Sequence, residues 1–419
     1  MATAAAGLLA ACGGGTDTAF GDGSAEGTAG PAPAPAGDAP RTQLSVPDLY
    51  DTSRGWESDL RGTQLPLPHS KAVAVFGSDG ERFRFTVLDV TSGEVVWKSS
   101  KIEGPDSPDP LTVAVDGRDY LVATASGVVD EGVTTKGREI TTIDIFTARG
   151  SGNGVEPVHH LELEGNRVVT DGGAGLLVEY DDGAKDDVVL TVDPATGATK
   201  EYDLSELEPP EGACTICSTT EAVAVTSQGP LLTTARKDRR AHYWVPRAWY
   251  SGDLTPSGNG EVFVAAVEED LLVANWYDEV KGRESWAVLD SATGKIVAEV
   301  GCEPSRGMGG SDAGGSSLSA QRRYLVFDYL AFDLQQGTGH CFEETDRDKP
   351  VYLTGVTDDG VAFGVAPGGT YAETPVAVNL STGQVSESEH SAVPFSDYAG
   401  FGLFWDEESE VMVGYPHAE

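Results

Sequence analysis

The fold is decided by a segment that recurs along the chain and is first met as VLDVTSGEVVW at positions 87–97. Every close copy has an apolar residue, then Asp or Asn, two variable residues, Thr or Ser, and Gly. The other close copies are TVDPATGATKEY at 191–202, VLDSATGKIVAEV at 288–300 and AVNLSTGQVSES at 377–388. Two looser copies are TIDIFTARG at 142–150 and AFDLQQGTGHCF at 331–342.

Each part of this motif has a physical reason. An Asp or Asn side chain can accept the backbone N–H two residues ahead, and Gly supplies the positive φ of a tight reversal. Apolar and polar residues alternate before the reversal, as in RFRFTV at 82–87, which is the period of a half-buried strand. The motif therefore predicts a β-hairpin and not a phosphate-binding loop.

The spacing of the motif predicts the architecture. The anchors Asp89, Asp144, Asp193, Asp290, Asp333 and Asn379 are separated by 55, 49, 97, 43 and 46 residues. The long step places one unit without the turn signature near 241–245, within AHYWVPRAWY. Seven units of about 50 residues with four short strands each predict an all-β, seven-bladed β-propeller of four-stranded antiparallel blades, with eight blades as the alternative.

We expect the ring to be closed by strands from the two ends of the chain. Residues 401–416, FGLFWDEESEVMVGYP, are interpreted as two extra strands that complete the first blade. A solenoid would need no such closure.

The segments LDSATGKIVAEV and LDVTSGEVVW resemble the repeat of the pyrroloquinoline-quinone-like propeller family, whose pattern is apolar-Asp-x-x-Thr-Gly-x-x-x-Trp. The resemblance covers most of 70–390, and Trp97 keeps the tryptophan of the pattern. The family includes quinone-dependent dehydrogenases, lipid-anchored assembly proteins and many other lipoproteins. In the dehydrogenases the cofactor lies against a ring formed by two adjacent cysteines. This chain has no such pair, so no quinone cofactor is expected.

The N-terminal residues predict a lipid anchor. Leu9-Ala10-Ala11-Cys12 resembles a bacterial lipobox, although no Lys or Arg precedes it. We therefore interpret 1–11 as a signal-peptide remnant, 12–45 as a disordered Gly/Ala/Pro linker attached to lipid at Cys12, and 46–419 as the propeller. A flexible leader with an incidental cysteine is the alternative. The expected location is the outer, extracytoplasmic face of the cell membrane.

The charge balance limits the partners. The chain of 419 residues has 28 Lys+Arg against 67 Asp+Glu, a formal net charge of −39. Such a field repels nucleic acid and attracts cations or basic partners. We expect a soluble monomer that binds a protein or another component of the cell envelope.

The remaining cysteines predict disulfides of an exported protein. Cys214-x-x-Cys217 lies between a loop and a strand, which favours a local disulfide over a thioredoxin-like redox pair. Cys302 and Cys341 each lie in the outer strand of neighbouring units, so a bridge between them would join two blades and contribute about 3–4 kcal/mol. Four cysteines allow three pairings, so the connectivity stays open.

One local positive cluster, ARKDRRAHYWVPRAWY at 235–250, is a candidate contact surface. Arginine and tryptophan favour carboxylate, sugar or protein partners. The alternative is a charged hairpin followed by a packed strand. The candidate partner-binding residues are Arg236, Arg239, Trp244, Arg247 and Trp249.

No catalytic constellation or metal site is predicted. His159 and His160 are adjacent in a strand and would face opposite sides of the sheet. Acidic pairs such as Asp181-Asp182 and Asp358-Asp359 suit solvated turns, with weak Ca²⁺ capture as the most they could offer.

We therefore expect a binding or scaffolding module; the alternative is a hydrolase or oxidoreductase-like enzyme with its site in the central funnel. An enzyme would gather carboxylates of shifted pKa at the channel, whereas a binding module would expose an aromatic and arginine patch.

Overall fold

The computed structural model describes residues 37–79, 82–181, 187–210, 217–236, 242–254, 262–278, 282–303, 316–368, 373–387 and 392–419. These residues form β-strands and three single-turn 3-10 helices, at Pro68–Ser70, Leu204–Glu206 and Ser251–Asp253. Within these ranges there is no helix of the length and hydropathy that a bilayer crossing needs.

The strands form eight four-stranded antiparallel blades, numbered in chain order, so the protein is a β-propeller as predicted. Blade 1 contains β2 Thr63–Leu67, β3 Ala72–Asp79, β4 Arg82–Asp89 and β5 Val95–Ser99, and blade 2 contains β6 Asp109–Val115, β7 Arg118–Val129, β8 Arg138–Thr147 and β10 His159–Glu164. Blade 3 contains β11 Arg167–Asp171, β12 Leu176–Tyr180, β13 Val188–Val192 and β14 Thr199–Asp203. Blade 4 contains β15 Cys217–Thr226, β16 Gly229–Arg236, β17 His242–Val245 and β18 Trp249–Tyr250.

Blade 5 contains β19 Val262–Glu268, β20 Leu271–Asp278, β21 Arg283–Asp290 and β22 Ile296–Cys302, and blade 6 contains β23 Ser316–Leu318, β24 Tyr324–Phe327, β25 Leu330–Asp333 and β26 Thr338–Cys341. Blade 7 contains β27 Tyr352–Val356, β28 Val361–Pro367, β29 Glu373–Asn379 and β30 Gln384–Glu387. Blade 8 contains β31 Ser396–Tyr398, β32 Phe401–Asp406, β33 Val411–Pro416 and the N-terminal strand β1 Trp56–Ser58. The short strand β9, Gly152–Val155, pairs in parallel with β5 outside blade 1.

The hydrophobic core is divided into eight clusters, and each cluster lies between two consecutive blades. Successive residues of one strand pack toward opposite neighbours: Leu272 packs against blade 4 and Val273 against blade 6. Because both faces are buried, the middle strands are continuous apolar runs. One cluster joins blade 8 to blade 1 through Leu403 and Val73, which closes the ring.

The first strands of the blades surround the axis of the ring. Contacts join β2 to β6, β6 to β11, β19 to β23, β23 to β27 and β27 to β31. The fourth strands lie at the rim, where β14 and β30 are largely exposed.

The described residues form eight blades. This is the alternative that the sequence offered beside its preferred count of seven. Residues 401–416 do not complete the first blade. With β31 they form a blade of their own, and the N-terminal strand β1 is its outermost member, pairing Trp56 with Gly414. The third and fourth strands of this blade are therefore not consecutive in the chain, so no turn motif marks it.

The hairpin prediction is confirmed at five anchors. Asp89 Oδ1 accepts the N–H groups of Thr91 at 2.9 Å and Ser92 at 3.0 Å, and Gly93 closes the turn at φ +67° with its N–H on the Asp89 carbonyl at 2.8 Å. The same pairing of anchor carbonyl with glycine N–H recurs at Asp193, Asp290, Asp333 and Asn379.

The looser copy at Asp144 is not a turn. Asp144 lies inside β8, where its carboxylate contacts His160 Nδ1 at 2.6 Å. The chain leaves blade 2 after β8 and adds β9 to blade 1 before it returns as β10, so a tight reversal is absent there. The strand predicted near 241–245 is β17, which is followed by a turn with Arg247 at φ +64°.

An aromatic clasp joins most neighbouring blades. In each case a ring nitrogen on the fourth strand of one blade lies within hydrogen-bond distance of a carbonyl in the next blade, close to a glycine that belongs to a tight turn in every case except Gly150 beside Trp97. The pairs are Trp56 with Val90, Trp97 with Ala148, His159 with Ala195, Trp249 with Ser291 and His340 with Leu380, at 2.7–3.1 Å. A Cβ added at Gly93 would lie 2.6 Å from the Trp56 ring, so the clasp and the glycine require each other.

A covalent link joins the rims of blades 5 and 6. A disulfide joins Cys302 and Cys341, whose Cα atoms are 5.9 Å apart, on the neighbouring outer strands β22 and β26. The same strands also form one parallel pair, Glu299 with Thr338. This is the pairing that the sequence predicted for these two residues. Cys214 and the side chain of Cys217 lie outside the described residues, so their predicted bridge stays a prediction.

We expect Trp97→Phe to lower the free energy of unfolding by about 1–3 kcal/mol, because the buried Ala148 carbonyl loses its donor. Trp97→Ala should cost about 3–5 kcal/mol, since it also leaves a cavity. Urea denaturation followed by circular dichroism measures both values. The fully exposed Val133→Ala is the matched control. An unchanged midpoint for Trp97→Phe would contradict the clasp.

Candidate functional site

A cavity of about 270 Å³ lies on the axis of the ring. Its walls come from seven of the eight blades, blade 4 being the exception. The lining comes mainly from the first strands of the blades and the residues next to them, with Asp119 contributed by the second strand of blade 2. The polar members are Thr112, Asp119, Asp171, Glu268, Glu269, Ser316, Ser317, Thr354 and Ser396.

Three carboxyl groups in this lining accept hydrogen bonds only from neutral donors. Asp119 Oδ2 accepts the Ser70 N–H at 2.7 Å, and Asp171 Oδ1 accepts the Gly173 N–H at 2.8 Å. Ser316 Oγ donates to Glu268 Oε2 at 2.6 Å.

Within the described residues, no Lys or Arg forms an ion pair with any of these three carboxylates. We call Asp119, Asp171 and Glu268 the axial carboxyls.

Enclosure by protein raises the pKa of all three axial carboxyls. The pKa of Glu268 rises to about 7, chiefly through burial and further through the charge of Asp171, against lowering contributions from Ser316 and Arg322. Burial raises the pKa of Asp171 to about 6, although its side chain is open to water in the cavity. Burial also raises the pKa of Asp119, against the Ser70 hydrogen bond. Asp171 and Glu268 therefore exchange protons near neutral pH.

An ion network beside the cavity crosses the axis. His69, after β2 of blade 1, contacts Glu269 at 2.7 Å, after β19 of blade 5. Arg322, after β23 of blade 6, pairs with both Glu269 and Asp270. Blades 1 and 5 are opposite in a ring of eight, so this network spans the axis at the end where the first strands terminate.

The axial carboxyls are not arranged as a metal site. The only described group of three or more His, Cys, Asp or Glu ligands whose atoms lie within 4.8 Å of one another is Cys302, Cys341 and Glu343. Its two sulfurs form the disulfide and are not thiolate ligands.

Within the described part of the predicted contact cluster, both tryptophans are used inside the fold. Trp244 is buried between blades 3 and 4, so its ring offers no face to a partner. Trp249 serves as a clasp, donating to Ser291 at 2.9 Å. Arg247 is exposed in its turn. Arg239 and the side chain of Arg236 lie outside the described residues, as does Cys12.

Sequence reasoning did not identify the axial carboxyls. They carry no local motif, since they come from three blades and are 52 and 97 residues apart in the chain. A usable signal was present: Asp171 and Glu268 each end the first strand of a blade, and such ends meet at one point of the axis. His159 and His160 face opposite sides, as expected, and contact different partners.

Comparison with known proteins finds similar solved structures at low identity only. No protein-family model and no curated protein matches the chain. Similar solved structures include the acylaminoacyl peptidase of Pyrococcus horikoshii, with 12% identity over 83% of this chain and 47% of that one, and a TM-score of 0.40. A puromycin-hydrolyzing peptidase of Mycobacterium tuberculosis matches at 10% identity over 88% and 52%, with a TM-score of 0.36.

The β-propeller domain of the Trilobed protease of Pyrococcus furiosus matches at 11% identity over 82% of this chain and 99% of that one, with a TM-score of 0.36. This chain spans about half the length of the two peptidases. At such identities and scores no activity can be transferred, and the fold assignment rests on the strand order and the eight interfaces.

Glu268 should make stability depend on pH. The folded protein holds this proton up to a pKa of about 7, whereas the unfolded chain loses it near the ordinary value of 4.5. The free energy of unfolding therefore falls as pH rises through that window. We expect Glu268→Gln to gain on the order of 2–3 kcal/mol relative to wild type between pH 5 and pH 8.

Urea denaturation at the two pH values measures this difference. Glu94→Gln, an exposed carboxylate in the turn of blade 1, is the control and should behave as wild type at both. A Glu268→Gln effect of equal size at pH 5 and pH 8 would contradict the raised pKa.

Proposed function

We propose that this protein is a lipid-anchored recognition module on the outer face of the bacterial cell membrane, and that its ligand presents a cationic group to the axial cavity. The observation that carries this proposal is the convergence of three axial carboxyls from three blades, none of which forms an ion pair with a described Lys or Arg, although the charge of Arg322 acts on Glu268 from farther away. A desolvated carboxylate without a counter-charge is unfavourable, and a bound ammonium or guanidinium group would remove that penalty.

The charge of the whole chain supports the same ligand class. A net charge of −39 raises the local concentration of cations and speeds their association. The cavity volume of about 270 Å³ suits a small amine or one basic side chain and not a folded domain. A protein or cell-envelope partner would then bind by inserting one of its own basic side chains into the axial cavity.

The membrane location rests on the N-terminal sequence. A lipid on Cys12 and the Gly/Ala/Pro linker that follows would hold the propeller at the membrane while leaving the ring free to meet partners.

A hydrolase is the second candidate. A carboxyl with a pKa of about 7 can serve as a general acid near neutral pH, and Glu268 has that property. Turnover of nitrophenyl glycosides or esters that Glu268→Gln abolishes would favour this candidate over simple binding.

We expect putrescine, used as a diamine probe, to bind more tightly at pH 8 than at pH 5.5, because an axial carboxyl must lose its proton before it can pair with an ammonium group. Glu268→Gln and Asp171→Asn should each weaken binding at least tenfold. Isothermal titration calorimetry at both pH values measures this. Glu94→Gln should bind as wild type does, and an unchanged affinity in both axial variants would refute the site.

Lipid attachment has a separate test. Cells that express the protein and are fed an alkyne analogue of palmitate should label the wild type and not Cys12→Ala. The variant should also leave the membrane fraction. Equal labelling of the two proteins would exclude Cys12 as the attachment point without affecting the cavity proposal.

A further inference from the structure

Among the described residues, the two aromatic side chains with the greatest exposure are neighbours in blade 5. Phe263 on β19 is 45% exposed, and Tyr277 on β20 is 52% exposed. Phe263 is opposite Asn275, two residues before Tyr277 on the same strand. Alternate residues of a strand share a face, so both rings lie on one face of the blade. That face looks toward blade 6, since Val273 of β20 packs into the core between blades 5 and 6.

A carboxylate is paired with Tyr277 across the sheet. Glu284 on β21 is directly opposite Tyr277, so the two side chains are in contact range on the same face. Burial raises the pKa of Glu284, and the charge of Glu343 raises it further, against a lowering contribution from Trp286. Within the described part of the chain, no Lys or Arg lies within ion-pair distance of Glu284. The pair therefore combines an exposed aromatic face with a negative charge that lacks a counter-charge.

Blade 6 contains the same kind of pair with a guanidinium group bound to it. Tyr324 on β24 is directly opposite Asp333 on β25. The guanidinium carbon of Arg323 lies 4.6 Å from the centre of the Tyr324 ring, and Arg323 Nη2 lies 3.1 Å from Asp333 Oδ2. One guanidinium group thus contacts the ring and the carboxylate together. It suits both because it is planar, weakly hydrated and able to stack on aromatic rings while it donates to a carboxylate.

The neighbouring arginine of blade 5 does not take this place at Tyr277 and Glu284. Arg283 lies against Gly301, where an added Cβ would collide with its guanidinium group. Gly301 is opposite Ser285, and Ser285 shares a face with Ala287, which packs into the core between blades 4 and 5. Arg283 is therefore on the opposite face of the blade from Glu284.

We propose that Tyr277 and Glu284, with Phe263 beside them, bind the guanidinium group of an arginine side chain from a partner polypeptide. The aromatic rings accept the planar cation on their faces, and Glu284 accepts hydrogen bonds from its N–H groups. The net charge of −39 attracts a basic partner toward this surface. A purely apolar partner is disfavoured, because it would cover Glu284 without supplying a donor.

This site is separate from the axial cavity and does not depend on it. Phe263 lies near the start of β19 and Glu268 at its end, which places them about 16 Å apart along the strand. The two residues are therefore near opposite faces of the ring, and either site can be removed by substitution without altering the other.

The test uses the full-length Glu268→Gln variant, in which the axial cavity has lost one carboxylate. N-acetyl-arginine amide is titrated into it and followed by saturation-transfer NMR. We expect N-acetyl-arginine amide to bind at least fivefold more tightly than N-acetyl-citrulline amide, which has the same shape without the charge, and more tightly than N-acetyl-lysine amide. Adding Tyr277→Ala or Glu284→Gln should weaken arginine binding at least fivefold.

Val133→Ala, which removes a fully exposed apolar side chain in blade 2, is the matched control and should leave the affinity unchanged. Circular dichroism checks that each variant is folded. The proposal would be overturned by citrulline or lysine binding as tightly as arginine, or by an unchanged affinity in folded Tyr277→Ala and Glu284→Gln variants. Binding by wild type that disappears with Glu268→Gln alone would also overturn it, because the arginine would then occupy the axial cavity.

Discussion

A hydrogen bond from an aromatic ring nitrogen to a carbonyl of the next blade is the constraint on which the ring depends. In four of the five clasps the receiving turn contains a glycine of positive φ, which leaves the space that the ring occupies. The clasp of Trp56 on Val90 at 2.7 Å operates between blade 8 and blade 1, so the same interaction that joins neighbours also closes the circle. A β1 strand that failed to pair would remove both the fourth strand of blade 8 and this clasp.

Closure of the ring also determines what the axis can hold. The first strands carry no clasp, and their C-terminal ends converge at the centre because the blades are held at their rims. Fixing eight blades places the turns of blades 1 and 5 opposite each other, which is why His69 and Glu269 can meet although they are 200 residues apart. The contact between His69 and Glu269 and the axial carboxyls beside it therefore depend on the closure of the ring.

The sequence predicts the hairpins from a local pattern of turn residues. The spacing of these patterns predicts the blade architecture, and it also places Cys302 and Cys341 in the outer strands of neighbouring blades. The blade number is missed because blade 8 is assembled from both ends of the chain and needs no turn motif. Trp249 shows a second limit: a surface contact and a clasp use the same residue type, and only the position of the Ser291 carbonyl distinguishes them. No local sequence pattern marks the axial carboxyls, because they come together only after the three blades that carry them have packed into the ring.

Asp397 and the axial carboxyls have different kinds of hydrogen-bond partner, and the contrast bears on function. Asp397 in blade 8 is only 4% exposed and accepts hydrogen bonds from Tyr50 and from His417, each at 2.8 Å, so an imidazole that can carry charge satisfies it. The axial carboxyls receive only neutral donors, and their raised pKa values express the cost of that arrangement. The fold thus supplies Asp397 with a partner that can carry positive charge. Asp171 and Glu268 have no such hydrogen-bond partner, so the free energy of unfolding falls as pH rises and these groups ionise. A positively charged ligand bound in the cavity would offset that loss of stability.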